Sequence, residues 1–314
     1  MQPNLQERQT KGIYWSYRQI RKEKRLQEHP PVIIMEKRSV IMGKNKKNQK
    51  KKSKATDVLL TLVLILAIGI FCYAAYNLYH IYTEYKKGTD EYNKIQQMAV
   101  TEKAPDSVQQ QEETPDTLTP PIEVDFAALK GVNEDVVGWI YIEALEGVSY
   151  PVVHGTDNEE YLHTTYEGNY NFAGTIFVDY ENKGDFSDCN TLVYGHNMKN
   201  GSMFGNLKDF VQKEDTYQKS KYFWILTPRN NYRYEIISAY TTSVSSDTYT
   251  LFKGPGEEFR QYLNKIVSYS EIATTPGELT LQDRIVTLST CTGNEATRFV
   301  VQGKLVDALP ASQG

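Results

Sequence analysis

Val58 to Tyr79, VLLTLVLILAIGIFCYAAYNLY, runs 22 residues without a charge. As an α-helix rising ~1.5 Å per residue, such a run covers the roughly 30 Å hydrocarbon core of a bilayer. A buried helix of a soluble domain would ordinarily carry a polar face, and this run has none. A cleaved signal peptide has an apolar core of only ~7–15 residues and a small-residue cleavage site; here Ala74-Ala75 lies among tyrosines. The run reads as an uncleaved transmembrane signal anchor, and the rest of the chain is organised around it.

The charge balance changes sign at this segment. Residues 1–56 hold 16 Lys/Arg and 4 Asp/Glu, whereas residues 57–314 hold 19 and 35. Lys44, Lys46, Lys47, Lys50, Lys51, Lys52 and Lys54 directly precede the span, so the positive-inside rule keeps the N-terminus in the cytoplasm. Tyr73, Tyr76, Tyr79 and Tyr82 suit an aromatic belt at the outer interface. The expected layout is a basic cytoplasmic tail (1–57), a transmembrane anchor (58–79), an extracellular stalk and linker (80–121) and a folded domain (122–310). Translation starting at Met42 or Met35 is a further expectation, which N-terminal sequencing would test. An acidic main body has the wrong sign for a nucleic-acid binder.

Ile81 to Val100 reads as a helical or stalk continuation. Thr101 to Pro121 is rich in Thr, Pro, Gln and Glu, the composition of an extended linker. Beyond it, Val124–Leu129 and Asn133–Val137 suggest short helices, with Asn133 or Asp135 as a cap for the second. Eight segments then carry strand signals: Gly138–Ile142, Val148–Val153, Gly174–Asp179, Thr191–Tyr194, Tyr222–Leu226, Tyr232–Ser243, Arg284–Thr290 and Arg298–Leu305. A mainly β domain with peripheral helices follows, its eight strands closing into a barrel. One amphipathic helix, Glu257–Tyr269, interrupts them, with Phe259, Tyr262, Leu263, Ile266 and Tyr269 at helical spacing.

Three cysteines exclude a disulfide scaffold, and the chain has no Cys-x-x-Cys or His-x-x-x-His pair of the zinc-binding kind. Cys72 lies in the span and Cys189 in a polar turn. Cys291 closes an apolar strand and precedes a Gly-containing loop, a place where a thiol is held yet reachable; a small buried hydrophobe is the alternative reading. A nucleophilic thiol needs a base or cationic partner to lower its ordinary pKa near ~8.5. His196 ends a strand in the same way and is the most economical partner; His154, before Gly155, is its competitor. Arg298, seven residues after Cys291, would return beside it across a hairpin, to serve a developing oxyanion or orient a substrate; a solvated surface charge is the alternative reading. Tyr194 and Ser289 each lie two residues before a candidate catalytic residue, on the same strand face; substrate contact and rim packing are both open for them.

Taken together, these segments resemble a sortase. The carriers are Thr287-Leu288-Ser289-Thr290-Cys291 (T-L-x-T-C) with an arginine on the next strand, and LVYGHNMKNGSMFGNL (Leu192–Leu207), similar to the histidine segment of class B sortases. NEDVVGWI (Asn133–Ile140), YPVVHGTDNEEYL (Tyr150–Leu162) and GTIFVDY (Gly174–Tyr180) extend the likeness to about Val124–Val306. The resemblance implies an eight-stranded sortase β-barrel, with N-terminal helices and a late helix as in class B. It implies Cys291 as nucleophile, His196 as acid/base and Arg298 as oxyanion or substrate-orienting group. It implies a membrane-anchored transpeptidase that cleaves a C-terminal sorting signal of secreted proteins after Thr and joins them to an amine of a peptidoglycan precursor or another protein, without cofactor or metal. No Asp-Pro-aromatic lid motif of pilin-polymerising enzymes is found. The rivals are a pilin-polymerising sortase, an anchored cysteine peptidase and, last, a non-enzymatic adhesion module.

Overall fold

The computed structural model describes residues 54–103 and 118–311; the expected cytoplasmic tail up to Ser53, the alternative starts and the middle of the linker lie outside them. Helix α1 (Lys54–Ala99) runs without a break through the apolar segment and 20 residues beyond it. It is long and apolar enough to cross a membrane, and the residues of that stretch are exposed.

The C-terminal part of α1 belongs to the folded unit. Tyr92, Ile95 and Ala99 are buried in the main core, and Tyr92 Oη donates to Thr175 Oγ1 at 3.2 Å. Strand β1 (Val100–Glu102) then pairs antiparallel with β2 (Ile122–Val124), and the Lys103 N–H donates to the Pro121 carbonyl at 3.1 Å. The two described ends of the Thr/Pro/Gln/Glu-rich segment are therefore held side by side. From the apolar run to Ala99 the chain is continuous helix.

Helix α2 (Phe126–Lys130) is capped by Asp125, whose side chain accepts the Ala128 N–H at 2.9 Å. The second short helix expected at Asn133–Val137 does not form. Asn133 Oδ1 instead accepts the Asp135 N–H two residues on, a local turn that competes with helix, and the chain enters β3 (Val136–Ile142) directly.

Strands β3, β4 (Ser149–Val153), β5 (Ile176–Val178), β6 (Asn190–Tyr194), β7 (Tyr222–Leu226), β8 (Asn230–Ser243), β9 (Ile285–Cys291) and β10 (Thr297–Pro310) close a barrel in the order β10-β8-β7-β3-β4-β5-β6-β9. All eight expected strands are present. Pairing is mixed, parallel at β4/β5 and β6/β9 and antiparallel elsewhere. Closure removes free edges, and Trp139, Trp224, Phe223 and Tyr234 fill the core. Short helices α3 (Asp209–Gln212) and α4 (Thr216–Lys219) follow β6. Amphipathic α5 (Glu257–Ser268) lays Phe259, Tyr262, Leu263 and Ile266 against Ile237 and Ile285 on the outside of the barrel.

Candidate active site

The β9/β10 hairpin sets the first two groups. Antiparallel register places Arg298 directly opposite Cys291, a cross-strand relation that puts Cβ atoms about 4.5–5.5 Å apart on one sheet face. Cys291 is exposed at the strand end. Arg298 is half-buried, and its Nη1 donates to the Glu295 and Thr297 carbonyls at 3.0 and 2.9 Å.

The third group comes from the neighbouring strand. Strand β6 runs parallel to β9 with Tyr194 beside Ser289, and the Gly195 N–H continues the ladder by donating to the Ser289 carbonyl at 3.1 Å. His196 is therefore delivered to the same rim as Cys291. Asn197 ties the two strand ends together, its Nδ2 donating to the Cys291 carbonyl at 2.7 Å. A groove of about 200 Å³ is lined by Leu162, Phe177, Tyr194, His196, Cys291 and Arg298, among others. His154, the competitor, does not line it: it follows β4, where its N–H donates to the Asp135 carbonyl at 2.9 Å.

His196 is oriented by backbone. Its Nε2 lies 2.7 Å from the Leu162 carbonyl. A carbonyl only accepts, so Nε2 carries the hydrogen, and Nδ1 is left to exchange a proton. Gly174 supports the Leu162 peptide from behind: at φ +54° it occupies the left-handed region, and a Cβ there would overlap the Tyr161 and Leu162 carbonyl oxygens. Burial pushes the imidazole pKa of His196 below its ordinary value; the Leu162 carbonyl opposes that shift and the stacked His163 ring, 5.6 Å away, adds to it.

Tyr194 and Ser289 both line the groove, and both are also held. Tyr194 Oη donates to Asp179 Oδ2 at 2.8 Å, and Ser289 Oγ lies 2.9 Å from Tyr249 Oη. Burial and Asp179 keep the Tyr194 phenol protonated by raising its pKa. Thr290, 4% exposed, has a buried hydroxyl without a hydrogen-bond partner among the described residues, at the groove wall. Cys189, by contrast, is half-buried away from this rim, and burial together with Asp188 pushes its thiol pKa up. Leu162, Phe177 and Asn158 line the groove without having been singled out by sequence. Leu162 acts through its carbonyl, which no side-chain pattern reveals.

A reachable thiol that shares a groove with an imidazole and a guanidinium is chemistry for acyl transfer through a thioester. Comparison with known proteins gives that class its family. Residues 140–306 match the family model described as Sortase domain. Sortase B of Listeria monocytogenes is 39% identical over 183 residues, covering 57% of this chain and 72% of that protein. Sortase B of Staphylococcus aureus is 30% identical over 252 residues, covering 79% and 96%. Among solved structures, sortase B from Bacillus anthracis in complex with AAEK1 superposes with a TM-score of 0.58 at 32% identity, over 72% of this chain and 99% of that one. A Staphylococcus aureus sortase B–substrate complex gives 0.58 at 29% identity, over 72% and 99%. The chain belongs to the sortase family of cysteine transpeptidases, and these relatives are class B members.

Proposed function

We propose that this sortase joins secreted proteins bearing a C-terminal sorting signal to an amine at the cell surface, with Cys291 as nucleophile, His196 as acid/base and Arg298 as oxyanion donor. The observation that carries the reading is the meeting of these three side chains on one groove, two of them in cross-strand register.

The Cys291 thiolate attacks the carbonyl carbon of a Thr in the sorting signal. Arg298 and backbone N–H groups near Cys291 receive the charge that builds on the carbonyl oxygen. As the C–N bond breaks, imidazolium His196 gives the Nδ1 proton to the leaving amine, and a thioester remains. An amine of a peptidoglycan precursor or of another protein attacks that thioester and passes its proton to neutral His196, and the thiolate departs. One amide replaces another, so no nucleotide is consumed. Tyr194 and Ser289, which line the groove, form part of the surface that receives the signal peptide.

In the proposed topology α1 crosses the membrane once, with the lysine-rich end in the cytoplasm and the barrel outside. Mass spectrometry tests the chemistry. The chain is incubated with candidate sorting pentapeptides, and an acyl adduct on Cys291, absent in Cys291→Ala, is the expected result. Release of peptide acid that an added amine does not divert would favour the anchored-peptidase reading. Absence of any adduct while Cys291 still reacts with a small thiol reagent would rule out this substrate class.

A further inference from the structure

The loop from His163 to Phe172 lies along the part of α1 that follows the apolar run. Asn171 Nδ2 donates to the Glu84 carbonyl at 3.0 Å, Tyr85 meets Phe172 edge to face at 4.8 Å, and Lys94 pairs with Glu167 at 2.7 Å. The loop is also braced internally: the Thr165 N–H donates to the Asn169 carbonyl at 2.8 Å and the Asn171 N–H to the His163 carbonyl at 2.9 Å. Yet Tyr170, at its tip, is 80% exposed, the highest value among the large hydrophobic side chains exposed in the described residues, above even Phe71 of the apolar run at 73%. A single exposed ring is ordinary on a protein surface; what sets this one apart is that a braced loop holds it against the helix just past the apolar run.

A cleft lies beneath Tyr170. It encloses about 730 Å³ and is lined by His80, Ile81, Glu84, Lys87 and Glu91 of α1 and by residues 169–172. His80 directly follows Tyr79, the last residue of the uncharged run. Glu84, the level at which Asn171 touches the helix, lies five residues past Tyr79, or about 7.5 Å along the axis. The headgroup layer of one leaflet is about 5–7 Å thick, within reach of a tyrosine ring. Tyrosine is the residue type that suits this layer, apolar in body and polar at the tip. The acids around the cleft are already satisfied: Glu84 pairs with Lys87 at 2.8 Å, and Glu91 accepts the Glu167 N–H at 3.0 Å.

We infer that the 167–172 loop is a membrane-contact surface, with Tyr170 seated among the lipid headgroups of the leaflet from which α1 emerges. The inference rests on the proposed membrane topology and adds to it that the catalytic unit lies on the bilayer. The surface is linked to the groove. The His163 ring lies 6.1 Å from that of Tyr170 and 5.6 Å from that of His196. The preceding residue, Leu162, holds His196 through its carbonyl. Substrates that reach the enzyme from the membrane plane would meet its groove at that level.

The test uses the full chain in vesicles of phosphatidylcholine and phosphatidylglycerol that carry a nitroxide either on the headgroup or deep in the acyl chain. Fluorescence of Tyr170→Trp and Phe71→Trp is read against the unsubstituted protein. The indole introduced by Tyr170→Trp should be quenched at least twofold more by the headgroup label than by the acyl label, and that of Phe71→Trp in the opposite order. Quenching of Phe71→Trp with none for Tyr170→Trp would overturn the surface while leaving the span intact. Loss of quenching at both would remove the span as well. Shielding of Tyr170→Trp that follows protein concentration and not lipid would assign the surface to a second copy, and the inference would fail.

Discussion

The two ends of the β9/β10 strand pair are built alike and finished in opposite ways. Thr287, Ser289 and Cys291 share one face of β9, opposite Gln302, Val300 and Arg298 of β10. At the inner end α5 and the turn after β8 cover that face, and every polar atom of Gln302 is used. Its Nε2 donates to Tyr262 Oη and Thr287 Oγ1 at 2.8 and 2.9 Å, and its Oε1 accepts from Ser238 Oγ and Tyr240 Oη at 2.9 and 3.0 Å. Thr287 in turn donates to Asn190 Oδ1 at 2.8 Å, which ties β9 to β6. At the outer end Cys291 is exposed, and Arg298 donates through Nη1 to backbone carbonyls beside it. The closed network fixes where the strands point; on the proposed mechanism the open end keeps its reactive and donor groups for a substrate. That reading separates stability from chemistry by about four residues of one hairpin.

The largest effect that would test this separation is on turnover. Cys291→Ala should lower transpeptidation by ~10⁴-fold or more, read as amide product by mass spectrometry. Its melting midpoint should stay at the wild-type value, because the exposed thiol packs little. A marked loss of stability would mean that the open end is structural after all.

Arg298 comes next. Arg298→Ala should reduce kcat/KM by about 10²–10³, the usual result of removing one oxyanion donor. Arg298→Lys should recover little of that, since a point charge does not replace a planar fork of donors. A fall in kcat/KM carried wholly by KM would assign Arg298 to substrate orientation and leave the oxyanion to backbone N–H groups.

The closed end should answer the other way. Gln302→Leu strands buried partners at about 1–3 kcal/mol for each unsatisfied group. A net loss of about 3 kcal/mol would lower the melting midpoint of a domain of this size by roughly 6–12 °C. Activity per folded molecule should be nearly unchanged. A drop in kcat without a drop in stability would show that the network reaches the rim and would dissolve the division drawn above.

The same division explains what was legible in the sequence. The barrel strands are rich in β-branched and aromatic residues and bounded by turn residues, so all eight were readable, and Cys291 and His196 shared the same strand-end context. What was missed acts through backbone or through long-range docking. The Leu162 carbonyl leaves no side-chain signature, and the Asn133 turn looks like a helix cap until its hydrogen bond is seen. The docked part of α1 looks like a stalk because its buried face is narrow, carried by Gly88, Tyr92, Ile95 and Ala99 between charged residues. The return of the chain through β1 and β2 is a tertiary pairing across a low-complexity segment, which composition alone reads as a spacer.

The smallest predicted effect concerns His196, which reaches the open rim from β6: it is half-buried, and its imidazole meets the backbone carbonyl of Leu162. Burial lowers its folded pKa below the ordinary ~6.5 of an unfolded histidine. Between those two values the unfolded chain binds more protons than the folded one, so stability rises with pH there. The neutral, buried imidazole is therefore tolerated in full above about pH 6.5 and becomes destabilising as pH falls through that value and the lowered one. His196→Gln has no such group. Urea unfolding at a series of pH values should show the stability of the wild type dropping relative to His196→Gln as the solution is acidified from neutrality. An NMR titration should place the free imidazole below its ordinary value. On the proposed mechanism, a lowered pKa makes imidazolium the less favoured form in the free enzyme. A His196 that titrates above ~6.5, with the stability of the wild type rising relative to His196→Gln on acidification, would reverse this. It would mean that the open rim stabilises a resident ion pair, and that the substrate finds its acid already charged.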